Sequence, residues 1–246
     1  MAAHLAQTLS RTAGPGGSPL PAGARARRSV DHSVYIVLDP SASNGRPLTD
    51  IARAAVAGGA TLLQYRDKHA STGEMVETTR ALLAVLAGSG VPLVVNDRID
   101  VALAAGADGA HVGQDDMAVA DARRLLGPDA ILGLSLNSVA EAEAAELDLL
   151  DYVCGQCAFA TGSKADAPPP IGVAGIAEIA ATVRRRVRAM PVGAISGITA
   201  ENAGAVIAAG MDGVAVISAV CAAPDPAAAT RALRRAVDAA RAEASA

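Results

Sequence analysis

"LAAGADGAHVG", residues 103–113, holds the end of a helix and the start of a strand within one short stretch. Leu and Ala at helical spacing stop at Gly106, the residue type that most often follows a helix C-terminus because it adopts left-handed backbone freely. The apolar run "GAHV" at 109–112 follows at once, short enough to be a buried strand. "AVAGGATLLQY" at 55–65 and "IAAGMDGVAVI" at 207–217 repeat the same junction. The segments between them differ in length, so the repeat is a recurring connection from helix back into sheet and not a solenoid unit.

Outward from these junctions, the chain alternates short apolar strands with Ala-rich helices from Ser33 onward. Strands are expected at 34–38, 61–66, 92–96, 109–112, 130–135, 152–155, 191–196 and 213–218. Helical stretches such as "LTDIARAAVAG", "TGEMVETTRALLAVLAG" and "TAENAGAVIAAG" lie between them. Eight strands, each followed by a helix, predict an α/β fold of the (β/α)8 barrel type. A doubly wound open sheet is the structural alternative, but no dinucleotide fingerprint marks one. The expected organisation is a single barrel domain over residues 30–246 behind a disordered tail, residues 1–29. That tail contains "TAGPGGSPLPAGARARR" and has too little apolar side chain to fold.

Composition narrows the function. Of 246 residues, 51% are hydrophobic and only 2% aromatic, so the core must be built from Ala, Val, Ile and Leu. A net charge of −4 argues against a general nucleic-acid binder. No apolar run approaches the roughly 18 residues of a membrane helix. Cys154, Cys157 and Cys221 are too few for a disulfide framework, and a reduced cytoplasm is expected. Cys154-x-x-Cys157 sits in "YVCGQCAF", which reads as a strand; residues three apart on a strand face opposite ways, so inert buried thiols are favoured over a redox or metal pair.

In a barrel of this kind the chemistry lies at the C-terminal ends of the strands. Strand two ends in "QYRDK", where Gln64, Arg66 and Lys68 share one face and Tyr65 and Asp67 the other. Strand three ends in Asn96 and Asp97, and strand four runs into Asp115 and Asp116. Strand five ends at Ser135, and strand six leads into "TGSK", residues 161–164. Strands seven and eight end in Ser196-Gly197 and Ile217-Ser218. Nearly every notable polar residue thus falls on one rim. Arg and Lys suit phosphate oxygens, and Asp97 and Asp116 could hold a magnesium ion. Small residues after the last two strands let backbone N–H groups approach a second phosphate. Taken singly, the two aspartates would more often be helix N-terminal carboxylates. His111 reads as a structural histidine or one that supports the site from behind, not as a base, His69 as a solvated loop residue, and the run at 184–188 as a solvated helix end.

The ordered set "QYRDK", "NDRIDVALAAGADGAHVGQDD", "LGLS", "FATGSK", "GAISGI" and "GVAVIS" resembles the thiamine phosphate synthase family across residues 33–222. The resemblance implies a transferase that joins an aminopyrimidine methyl diphosphate to a thiazole phosphate and releases pyrophosphate. It implies that Gln64, Tyr65, Arg66, Asp67, Lys68, Asn96, Ser135 and Lys164 bind the pyrimidine diphosphate, with Arg66, Lys68, Ser135 and Lys164 in catalytic roles. Thr161, Gly162, Ser163, Gly197, Ile217 and Ser218 would hold the thiazole phosphate, and Asp97 and Asp116 would bind Mg2+. The expected partners are small phosphorylated molecules, with neither nucleic acid nor membrane, and homo-oligomerisation is left open. Three positions depart from many members: Ser196 stands for the first Gly of a Gly-Gly pair, Gln156 for a Pro, and Asn137 for a His. A thiazole tautomerase-like paralogue and a non-catalytic phosphate sensor are the rival readings.

Overall fold

In the computed structural model, which describes residues 29–161 and 169–244, eight parallel strands close into a barrel in chain order. The strands are β1 (Val34–Leu38), β2 (Leu62–Tyr65), β3 (Leu93–Asn96), β4 (Gly109–Val112), β5 (Ile131–Leu136), β6 (Tyr152–Gly155), β7 (Val192–Ala194) and β8 (Gly213–Val216). The helices around them are α1 (Leu48–Ala57), α2 (Thr72–Leu86), α3 (Ile99–Ala105), α4 (Val119–Leu126), α5 (Val139–Ala144), α6 (Gly172–Arg186), α7 (Ala203–Ala208), α8 (Ser218–Cys221) and α9 (Pro226–Ala244). All eight expected strands are present, with bounds shifted by up to two residues. Of the tail expected over residues 1–29, only Ser29 lies within the described residues.

Side-chain alternation sorts the core into two layers. Along β1, Tyr35 and Val37 point into the barrel with Leu62, Val94, Tyr152 and Cys154. Val34, Ile36 and Leu38 point outward and pack with helix residues such as Ile51, Leu82 and Ile176. Each large aliphatic side chain so buried contributes about 1.5–3 kcal/mol. α2 starts at a reciprocal cap, in which Ser71 Oγ accepts from the Glu74 N–H and the Glu74 carboxylate accepts from the Ser71 N–H. Among the described residues, no helix is long and apolar enough to cross a membrane.

The repeated junction has a structural cause. Gly106 closes α3 at φ +77°, as a left-handed cap requires. The residue just before each even strand then accepts the N–H at the start of the preceding odd strand. Thr61 Oγ1 takes Val34 N (3.1 Å), and Asp108 Oδ2 takes Leu93 N (2.9 Å). Asp151 Oδ2 takes Leu132 N (2.9 Å), and Asp212 Oδ2 takes Val192 N (2.8 Å). Four staples therefore satisfy strand-starting donors at the N-terminal rim. Two are reinforced by arginines: Arg123 reaches Asp151 at 2.8 Å and Arg184 reaches Asp212 at 2.6 Å. Stability is concentrated at one end of the barrel, and the other end is left for chemistry.

Candidate active site

At the C-terminal mouth, a small interior cavity of about 20 Å³ is lined by Tyr35, Gln64, Arg66, Asn96, His111, Ser135 and Cys154, closed on one side by Ile195, Ala215 and Ile217. Gln64, Arg66, Asn96 and Ser135 come from three different strand ends and meet there because the same parity turns each inward. Tyr65 and Asp67 have the opposite parity. Tyr65 packs in the outer layer, and its phenol donates to Asp67 Oδ2 at 3.4 Å. Burial pushes that phenol up to about 12. Asp67 Oδ1 in turn accepts the N–H groups of His69 and Ala70. These two side chains shape the turn that carries Lys68.

Lys68 Nζ stands 2.5 Å from Asp97 Oδ2. Asp97 follows β3 at φ +61°, a conformation uncommon for a side chain beyond glycine. Neither Asp97 nor Asp116 caps a helix, since Arg98 precedes α3 and Ala118 precedes α4. Instead the two carboxyls come within hydrogen-bonding reach of each other. Partial burial, and behind it the Asp97 carboxyl, raise the Asp116 carboxyl above its ordinary range. Asp116 Oδ2 also accepts Gly113 N at 2.7 Å, which fixes its orientation. Among the described residues, no group of three or more His, Cys, Asp or Glu forms a closed metal cage. Two converging carboxylates, one already drawing an ammonium, suit a magnesium ion that takes its other ligands from phosphate and water.

A second cavity, about 380 Å³, opens beside the first between the ends of β6, β7 and β8. Thr161, Ser196, Gly197, Ile217 and Ser218 line it, together with Ala160, Ile198 and Thr199. Gly197 sits at φ +63°, and Ser196 beside it at φ +89°. Ser196 Oγ accepts the Cys157 N–H at 3.2 Å, tying the segment after β6 to the end of β7. The expected strand through "YVCGQCAF" stops at Gly155, because Cys157 adopts φ +63° and leaves the sheet. All three cysteines are buried and outside any disulfide. Gly162, Ser163 and Lys164 lie outside the described residues. Ile195, Ala215 and Ile217 belong to both cavities, so occupants of the two would share a wall.

Three residues escaped the reading of the sequence, and a fourth, His111, was read there as structural or supporting and left out of the site. Asp39, just past β1, is ion-paired with Arg66 and nearly buried. His111, Tyr35 and Tyr152 form hydrogen bonds that run between Gln64 and Ser135. The available signal was parity: Tyr35, His111 and Tyr152 hold inward positions on β1, β4 and β6, and Asp39 continues the inward parity of β1 just past its end.

The family model for thiamine monophosphate synthase matches residues 34–220. The thiamine-phosphate synthase of Agrobacterium fabrum is 49% identical over 211 residues, which cover 86% of this chain and 96% of the relative. That of Moorella thermoacetica is 47% identical, covering 85% and 97%. Among solved structures, the thiamine phosphate pyrophosphorylase of Pyrococcus furiosus superposes with a TM-score of 0.75 at 36% identity, covering 85% of this chain and 97% of that one. With this extent and identity of match, on a closed barrel, the chain belongs to the thiamine monophosphate synthase family, a family of transferase enzymes.

Proposed function

We propose that this chain is itself a thiamine phosphate synthase. Its substrates would be 4-amino-2-methyl-5-(diphosphooxymethyl)pyrimidine and 4-methyl-5-(2-phosphooxyethyl)thiazole, and its products thiamine phosphate and pyrophosphate. The observation that carries the reading is the common wall of Ile195, Ala215 and Ile217 between two cavities of different chemistry. One offers side-chain donors and cations, and the other mainly backbone donors and small side chains. Two phosphorylated substrates held side by side lose little further entropy on reaction.

The chemistry asks little covalent work of the protein. Pyrophosphate leaves the pyrimidine methylene carbon with its bonding electron pair, and the ring stabilises the resulting cation. The thiazole nitrogen then donates its pair to that carbon. Arg66 and Lys68, with Lys164 from the segment after β6, would balance the departing charge, a preorganised electrostatic role. Gln64, Asn96 and Ser135 would orient the pyrimidine and its diphosphate. Thr161, Gly162, Ser163, Gly197, Ile217 and Ser218 would hold the thiazole phosphate. Asp97 and Asp116 would hold Mg2+, which when bound supplies positive charge to the diphosphate oxygens. The buried thiols fit a reduced, cytoplasmic setting.

The test mixes both substrates with magnesium and follows thiamine phosphate and pyrophosphate by mass spectrometry. The expected result is both products in equal amounts, and neither product when one substrate is left out. Binding of both ligands without product would favour the phosphate sensor instead.

A further inference from the structure

A continuous strip of buried polar groups crosses the barrel interior beneath the proposed pyrimidine site. Gln64 Nε2 lies 2.5 Å from the Tyr35 hydroxyl, which is 2.9 Å from the Tyr152 hydroxyl. The Tyr152 hydroxyl is 2.9 Å from His111 Nδ1, and His111 Nε2 is 2.9 Å from Ser135 Oγ. Both ends of the strip, Gln64 and Ser135, line the cavity. The rings also stack on one another: Tyr35 meets Tyr152 edge-on at 5.8 Å, and His111 tilts over Tyr152 at 5.4 Å. The space exists because residue 133 is glycine. A Cβ there would stand 2.5 Å from His111 Nδ1 and run into the Tyr152 ring.

Proton counting gives the strip a direction. An amide nitrogen only donates, so the Tyr35 oxygen accepts from Gln64. Each hydroxyl has one proton, and burial pushes both phenols well above their ordinary range, so neither ionises. With the amide nitrogen turned to Tyr35, one direction leaves only the cavity-lining Ser135 proton without an acceptor in the strip, whereas the other would leave that of the more deeply buried Tyr35. In the first, Tyr35 donates to Tyr152, Tyr152 donates to His111 Nδ1, and His111 therefore carries its proton on Nε2 and donates to Ser135 Oγ. Ser135 must then turn its own proton into the cavity. At the other end, Gln64 presents its carbonyl oxygen there.

We propose that Tyr35, Tyr152 and His111 are positioning residues, forming a one-way hydrogen-bond relay that fixes Ser135 as a donor and the Gln64 carbonyl as an acceptor. The ligand this pattern fits rests on the function proposed above. A donor at Ser135 suits an anionic diphosphate oxygen, and an acceptor at Gln64 suits the amino group of the heterocycle. If the relay ran backwards, Ser135 would offer a lone pair to an anion and the amide would offer an N–H to an amine. Both contacts would repel. The relay thus makes orientation of the pyrimidine a property of the barrel interior.

Two measurements test this independently. The first is long-range proton–nitrogen NMR on the ligand-free full chain, which reads the tautomer of His111 directly. Nε2–H is expected in the parent, and a mixture of tautomers in Tyr152→Phe, which removes only a hydroxyl. The second is steady-state kinetics. Tyr152→Phe and Tyr35→Phe should each lower kcat/KM for the pyrimidine diphosphate about tenfold while leaving KM for the thiazole phosphate unchanged. A purely structural role would shift neither the tautomer nor one substrate selectively. An Nδ1–H tautomer in the parent, or a Tyr152→Phe protein with the parent's tautomer or kcat/KM, would overturn the proposal. A parent chain that makes no thiamine phosphate would overturn the functional reading alone, because the tautomer is read without substrate.

Discussion

Asp39 holds Arg66. Their ion pair joins the ends of adjacent strands β1 and β2, whose register pairs Leu38 with Tyr65 and so sets the next two residues side by side. The side chains are only 4% and 13% exposed. Asp39 Oδ1 is occupied separately by Ser41, accepting from its N–H at 2.9 Å and its hydroxyl at 2.5 Å. The carboxylate is therefore fixed from two sides and can fix the guanidinium in turn. Asp39→Ala would leave a mostly buried cation without its partner, a loss of about 3 kcal/mol or more. The expected outcome is a lower thermal midpoint together with a KM for the pyrimidine diphosphate raised about tenfold. Asp39→Asn, which keeps the shape, should fall between. Parent-like values in both variants would remove Asp39 from the positioning of Arg66.

Gly197 should tolerate no side chain. At φ +63° a Cβ would press on the Ala160 carbonyl and stand 2.8 Å from Phe159 Cβ. Since Ala160 and Thr161 line the second cavity, the strain would be passed to the segment that approaches the thiazole phosphate. Gly197→Ala is expected to raise KM for the thiazole phosphate at least tenfold while KM for the pyrimidine diphosphate changes little. Equal effects on both substrates would mean a general loss of structure, which circular dichroism would detect.

The opposite end of the barrel predicts the opposite phenotype. Arg123 and Asp151 are 2% and 0% exposed. The guanidinium also donates to the carbonyls of Leu149, Gly127 and Ala130, so every arm of it is used. Arg123→Met would take the cation from the buried Asp151 carboxylate and should cost about 3–5 kcal/mol of stability. At a temperature where the variant is folded, both KM values should match the parent. A stable variant with impaired catalysis would contradict the division between a stability rim and a chemistry rim.

The barrel was legible because short apolar strands alternate with helices eight times, and three of the returns into the sheet repeat one Ala-Gly junction. Gln64, Arg66, Asn96 and Ser135 were legible because a strand's parity and its C-terminal end are visible in one dimension. Asp39 was not, because its meaning depends on the register of β1 against β2, and His111 was legible only as a supporting histidine, because its partners Ser135 and Tyr152 come from the next two strands. Cys157 was misread as strand because nothing local announces a positive φ in a cysteine. Ser196 was noticed as a departure from a glycine, but its role needed three dimensions. Its hydroxyl accepts the N–H of the very residue whose backbone turns out of the sheet. Tyr65 and Asp67 entered with their segment, although alternation already turned them away from the cavity.

The sharpest prediction concerns Asp97 and Asp116. Two carboxyls within hydrogen-bonding reach repel when both are charged, and this repulsion adds to partial burial in raising Asp116. Lys68 offsets part of it, but its side chain is 52% exposed and its charge is shared with solvent. A divalent ion would offset the remainder and let the carboxylates coexist with an incoming diphosphate. Chelation of the parent should therefore abolish pyrophosphate release, and added magnesium should restore it. Asp97→Asn and Asp116→Asn keep the shape but remove a ligand charge, so each should be slow and need more magnesium. Stability should move the other way. In excess chelator, Asp116→Asn should unfold at or above the parent's temperature, because the substitution removes a like-charge contact. Magnesium should raise the parent's midpoint and leave that of the variant almost unchanged, as binding to the folded state alone requires. Calorimetry with and without magnesium separates these outcomes from any effect on turnover. Full activity in excess chelator, with both variants behaving as the parent, would remove the metal from this site.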